Sequence, residues 1–435
     1  MRAAVALLAL SAFACDGVGR PIVGRTAEGD GGAPRSCEAS PSCRAPRTLA
    51  ADHFEVPHAP PELLDGDCDE DLVDDTVDNC LGVPNPTQGP TDCDNARSAC
   101  ERLAMGSPSL QGADLRGCRL EAPVALSGSL SLRGADLRCA DVTFVAEDGA
   151  SVDLTDTVVT ASRLRIEAVR PVSVDTSRTT FTNSALALDG AARLVADSAI
   201  FEGSTLLIDP AGGVVVSGDG AAAVDIARSN FTQSTIWEAP SSQPGVIRLD
   251  GSTLTASAVD VRVLDLHRAD VASSRIAAET LDAFEADVTV SQLRTARGSF
   301  ASSTLNDVVF ASCESLHLSD CEVAGSDFPL CPPEGLRTFR TELDGCTVAG
   351  GAELVQSQFF AGVIGGGEAS TLVTRDSTVD GVRFCDLGAA AFRRGEIRCT
   401  HCGYDSFMGG AAVCVSGATL TERGCPAIEL APECE

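Results

Sequence analysis

Seven aspartates fall between Asp65 and Asp78, and four of them, Asp65, Asp67, Asp69 and Asp71, alternate along the chain. Charge at this density opposes collapse unless a cation bridges it. Hard oxygen ligands at close spacing suit Ca2+, which takes about six to eight of them. An EF-hand loop does not fit, because no Gly stands at its sixth position with a Glu at its twelfth. The competing reading is an acidic, disulfide-knotted spacer that holds no ion.

The wider stretch reads Asp69-x-Asp71-x-x-x-Asp75-x-x-Asp78-Asn79-Cys80, then Pro84-Asn85-Pro86-Thr87-Gln88, then Asp92-x-Asp94 and Ala99-Cys100. It resembles the thrombospondin type 3 repeats, whose aspartates wrap calcium ions in a chain with almost no core. The resemblance implies Asp69, Asp71, Asp75, Asp78, Asp92 and Asp94 as Ca2+ ligands and Cys80–Cys100 as a bridge. Cys68 and Cys93 occupy equivalent D-C-D positions, where an extra bridge can form. Ser98 and Pro90 stand where the family carries aspartate, so the second site is incomplete. The affinity implied is weak, about millimolar, as in other extracellular modules.

Other chemistry is sparser. Asp260 with Arg262, and Asp282 with Glu285, are the acid–base candidates that a polysaccharide lyase or hydrolase would need in a groove. Neither stands out from a background of scattered acids, so no catalytic residue is assigned. One Trp and one Tyr offer little stacking surface for sugars. His53 and His58 lie near Asp52 and Glu55 in a segment that reads as linker. His267 and His317 stand alone. Cys399-Thr400-His401-Cys402 is metal-like in spacing but reads as disulfide cysteine in an exported chain.

The formal net charge is −30, and every basic residue is Arg. Such a chain repels phosphate backbones, so nucleic acid is not an expected partner. The absence of lysine removes Schiff-base enzymes, P-loop NTPases and protein kinases.

Residues 1–14 read as an export signal: Arg2, an apolar run to Ala14 too short to span a membrane, and an Ala12-Phe13-Ala14 cleavage site. Cys15 follows at once, which resembles the lipidated cysteine of bacterial lipoproteins. Lipidating Cys15 also resolves the odd count of 19 cysteines, leaving 18 for nine bridges. The expected location is the cell envelope or outer surface of a Gram-negative bacterium. The expected partners are the membrane, through the lipid, and a cell-surface protein or polysaccharide.

Residues 15–64 are rich in Gly, Pro, Ala and Ser and read as a flexible linker; residues 65–104 form the acidic Cys-rich segment. From Met105 the texture changes. Met105, Leu110, Leu115, Leu120, Ala125 and Leu130 recur every five residues, as do Leu132, Leu137 and Val142. With Ala113-Asp114-Leu115-Arg116 and Ala135-Asp136-Leu137-Arg138 around them, these resemble pentapeptide repeats, whose units coil as a right-handed β-helix. Further on, a large apolar residue recurs with Ser three places later: Val159–Ser162, Phe181–Ser184, Phe201–Ser204, Phe231–Ser234, Leu254–Ser257, Val271–Ser274, Val288–Ser291, Phe300–Ser303 and Val323–Ser326.

Short β-branched runs at that period, bounded by Asp, Gly, Asn and Ser, predict a solenoid. The expected fold is all-β, a right-handed parallel β-helix over residues 105–330, followed by Cys-rich coils and a cap over 331–435. About fifteen coils stacked at about 4.8 Å make the core continuous. Together these features predict a non-enzymatic binding or structural scaffold on a calcium-stiffened stalk, with a polysaccharide-active enzyme as the alternative.

Overall fold

The computed structural model describes residues 94–147, 149–209, 224–238, 246–401 and 407–422, with isolated positions between Asp67 and Gln88. The chain winds into a parallel β-solenoid in which every strand pairing is parallel. One ladder runs in register through Leu137, Val159, Phe181, Phe201, Phe231, Leu254, Val271, Val288, Leu305, Val323, Leu343, Phe359 and Val379. Each of these residues points inward from a strand of three residues or, at Val379, from the long final stretch Val363–His401. Two further walls complete each coil. Their inward residues include Leu164, Leu186 and Leu206 on one, and Ile247, Leu264 and Leu281 on the other. All of these inward side chains belong to one buried cluster.

The short strands stay short because single residues turn the chain at both ends. Asn183, Gln233 and Ala256 close them with φ of 47°, 51° and 49°, and Arg178, Arg228 and Arg268 open them with 55°, 48° and 52°. One left-handed residue reverses the pleat without breaking the coil-to-coil ladder. Glycine is the cheapest residue there, yet the corners hold mostly Arg, Asp, Gln, Ala and Ser, which is why the sequence does not advertise them. Val290 is the costliest, a β-branched residue at φ 47° that is 62% exposed. Its amide bonds to the Asn306 carbonyl at 2.9 Å and needs no side chain. Val290→Asn should therefore stabilise the fold by about 1 kcal/mol, read as a higher urea midpoint at constant slope.

Inside each corner a small polar residue closes the backbone account. Ser184 is representative: its amide donates to Ser204 Oγ at 3.1 Å, and its hydroxyl lies 2.8 Å from the Thr182 carbonyl and 3.2 Å from that of Val159. The same pattern links Ser204, Ser234, Ser257, Ser274 and Ser291. The apolar–x–x–Ser repeat is thus a buried hydrogen-bonded column. A second column, two residues before the inward apolar residue, joins Ser229 to Ser252 and Thr341 through Ser357 to Ser377. Phe300–Ser303 is not a member of the repeat: Leu305 holds that rung and Ser303 belongs to the second column.

Several expectations change here. Cys321 and Cys346 are buried free thiols standing in for serine in these columns, so nine bridges is too many. Burial pushes the Cys346 thiol up to about 12. Met105 and Ala125 are exposed, so the five-residue repeat enters the core at Leu110. The acidic segment ends in an α-helix, Asp94–Ala104, which buries Ala96, Ala99 and Leu103 on one face. Ala99 and Leu103 share the solenoid core with Leu110 and Leu115, so the helix covers the first coil and shields its strand edge. Cys100 bonds to Cys118 in that coil, not to Cys80, which is itself disulfide-bonded elsewhere. The bridge pins the helix to the coil it covers.

Candidate functional site

Of the six expected calcium ligands, Asp71, Asp78 and Asp94 are described; Asp69, Asp75 and Asp92, with Cys68, Cys93 and Cys15, lie outside the described residues. So do His53, His58 and Cys402. Asp71 is buried, and its Oδ1 accepts from the Val73 amide at 2.8 Å. Asp78 Oδ1 accepts from the Cys80 amide at 2.8 Å and Gln88 Nε2 at 2.9 Å. Asp67 accepts from the Asp71 and Leu72 amides at 3.0 and 2.8 Å. These bonds organise the turn; among the described residues no group of three or more His, Cys, Asp or Glu is placed to hold a metal ion. Asp94 sits in the first turn of the helix, where its charge complements the unpaired amides.

The solenoid wall carries a different feature, a cleft of about 460 Å³ lined by Asp260, Val261, Arg262, Ala277, Ala278, Glu279, Arg294, Thr295, Ala296, Cys313 and Glu314. The register explains its shape. Asp260, Ala277 and Arg294 follow one another on successive coils, so a methyl group stands between two charged side chains. The chain turns from one wall to the next at Val261–Arg262, which makes the surface concave. Asp260 and Arg262, paired in the sequence reading, both line this cleft.

Arg262 closes the cleft from behind. It donates from Nη2 to Glu238 Oε1 at 2.7 Å, from Nε to the same oxygen at 3.1 Å, and from its backbone amide to Oε2 at 2.9 Å. The Glu238 side chain is wholly buried and that of Arg262 is 23% exposed. At the rim, Arg297 Nη2 donates to Glu279 Oε1 and Thr280 Oγ1, both at 3.3 Å.

Asp282 and Glu285 do not form a pair. Asp282 faces outward beside Asp265 on the preceding coil, while Glu285 occupies a left-handed corner. Burial, and secondarily the Asp265 charge, raises the Asp282 carboxyl above its ordinary value. His267 holds Asp250 through Nδ1 at 2.7 Å and stacks on Phe284, with ring centroids 5.4 Å apart. His317 is exposed on the same wall.

Elsewhere the outer corners pair charges from coil to coil: Arg178 with Asp156, Arg228 with Asp197, Arg268 with Asp250, Arg340 with Asp320 and Arg394 with Asp376. The arginine hydrogen bonds are the leading cause holding Asp156, Asp250 and Asp320 below the usual carboxylate range. A depressed folded-state value contributes stability above the unfolded value and loses it as acid protonates the group. Stability should therefore fall as pH drops below about 4, and less steeply in a variant with the three aspartates changed to asparagine. Each pair is exposed and weak; the row acts together.

The fold defines the class: a parallel β-solenoid with a helix-capped first coil and a charged cleft on its wall. No protein-family model and no curated protein matches the chain. Among solved structures it is similar to a mannuronic acid specific polysaccharide family 6 lyase from human gut microbiota, at 11% identity over 75% of this chain and 89% of that chain, with a TM-score of 0.26. A likeness this remote carries no argument about activity. Among the described residues, no helix is long and apolar enough to cross a membrane.

Proposed function

We propose that the solenoid is a non-catalytic binding scaffold of an exported, lipid-anchored cell-envelope protein, carried on an acidic segment that takes Ca2+ weakly. One observation carries the non-catalytic reading. Arg262, the arginine of the one acid–base candidate pair that lines the cleft, is tied by three hydrogen bonds to a buried carboxylate. A guanidinium held that way is wall, not base. Glu279, Arg294 and Glu314 line the same recess and supply charge and hydrogen-bonding groups for recognising a ligand.

A second reading, a polysaccharide lyase or hydrolase, is favoured by the gathering of Asp260, Glu279 and Glu314 in one recess. Incubation of the purified protein with pectins, alginates and glucans separates the two. The scaffold reading expects no turnover of any; turnover abolished by Asp260→Asn would replace it with the enzyme. Calorimetry of the full chain should show millimolar calcium binding that Asp71→Asn with Asp78→Asn removes. Labelled fatty acid should enter the wild type and not Cys15→Ala.

A further inference from the structure

The cleft exists because one coil carries two alanines. Ala277 and Ala278 stand in register between Asp260 and Val261 on the coil before and Arg294 and Thr295 on the coil after. Two methyl groups therefore line a space that longer side chains bound on either side. The floor is apolar and closed: Val261, Ala277, Ala278 and Thr295 are all buried. Thr295 adds no polarity to it, because its hydroxyl donates to the Arg297 carbonyl at 2.9 Å. Cys313 is disulfide-bonded and offers no thiol.

The mouth is charged. Arg262 brings no net charge to it, because the wholly buried Glu238 carboxylate balances its guanidinium. Asp260, Glu279 and Glu314 then stand against Arg294. Arg297 reaches Glu279 from the rim at 3.3 Å; with it counted, the mouth still holds three carboxylates to two guanidinium groups. The three carboxylates come from three different coils, so they surround the opening rather than share one edge. The field of a chain with net charge −30 has the same sign.

We infer that the cleft binds an aliphatic amine, a reading that rests on the scaffold function proposed above and names the ligand class of its cleft. A protonated amine has two parts, and the cleft has a place for each. The ammonium donates charge-assisted hydrogen bonds to the carboxylate oxygens at the mouth. The methylene chain leaves water for the methyl floor. A metal ion makes no use of such a floor, and an anionic ligand meets an excess of its own charge at the mouth. The volume of about 460 Å³ falls within the range of about 300–1,000 Å³ usual for small-molecule sites, which suits a free diamine or polyamine.

The test is calorimetry of the full chain with cadaverine, spermidine and hexylamine, and with hexanoate as the probe of opposite charge. At least one amine should bind, about tenfold or more tightly than hexanoate. Ala277→Leu puts a longer apolar side chain into the cleft and should abolish the binding. Glu314→Gln, at an exposed position, should weaken it about fivefold. Glu322→Gln, an exposed carboxylate on the short-strand wall, should leave it unchanged. Binding by none of the three amines overturns the inference. So does amine binding that Ala277→Leu retains, or that Glu322→Gln weakens as much as Glu314→Gln does, since the overall charge of the chain then explains it. Hexanoate binding as tight as the amines', and lost with theirs in Ala277→Leu, overturns the amine and leaves the cleft as the recognition surface.

Discussion

Arg262→Ala should destabilise the solenoid by about 3 kcal/mol, although Arg262 lies on a surface recess. The cost comes from what is left behind. Glu238 has no side-chain exposure, and without the guanidinium its charge stays buried without its cation. Removing one partner of a buried ion pair costs about 3–5 kcal/mol; water entering the opened cleft places this case at the low end. Adding Glu238→Leu should recover much of the loss at pH 7, a coupling that a double-mutant cycle by urea unfolding measures. A change below about 1 kcal/mol in the single variant would mean the pair is not buried as described.

Phe201→Ala should cost about 4 kcal/mol. Phe201 is 1% exposed and sits between Phe181 and Phe231, with ring centroids 4.7 and 4.5 Å away and planes within 6°. Truncation removes two stacking contacts at once and opens a cavity that neighbours cannot fill, because their backbones are fixed by coil-to-coil hydrogen bonds. Phe201→Leu should cost about a third as much. Because the coils contact only their neighbours, the loss should spread along the array, broadening the transition rather than shifting one sharp step. Equal effects of Ala at Phe201 and at exposed Phe284 would contradict the inward stacking.

These two sites differ in how legible they were. The Phe201–Ser204 spacing is visible in the sequence because inward position and corner hydroxyl repeat together. The second polar column is not legible in sequence because Ala, Ser, Thr and Cys all serve in it; only the register unites them. The corners escaped because charged and small residues, not glycine, take the left-handed positions. In Asp94–Ala104, the helical spacing of Ala96, Ala99 and Leu103 is too short an apolar pattern to stand out from the surrounding acids. Cys100–Cys118 joins two segments that local spacing treats as separate. The cleft gathers residues about one coil apart in sequence, such as Asp260, Ala277 and Arg294. No local motif encodes such a group; it follows once the register is known.

Distances between nitroxide labels in the otherwise native chain test the coiled architecture most directly. Thr180, Thr304 and Thr378 point outward from one row of the short-strand wall, Thr304 six rungs and Thr378 ten rungs beyond Thr180. Labels at Thr180 and Thr304 should lie about 29 Å apart, and labels at Thr180 and Thr378 about 48 Å, a rise of about 4.8 Å per rung. Two separations that do not grow in proportion to rung number would contradict the stacked coils, and with them the cleft and the columns of buried serine.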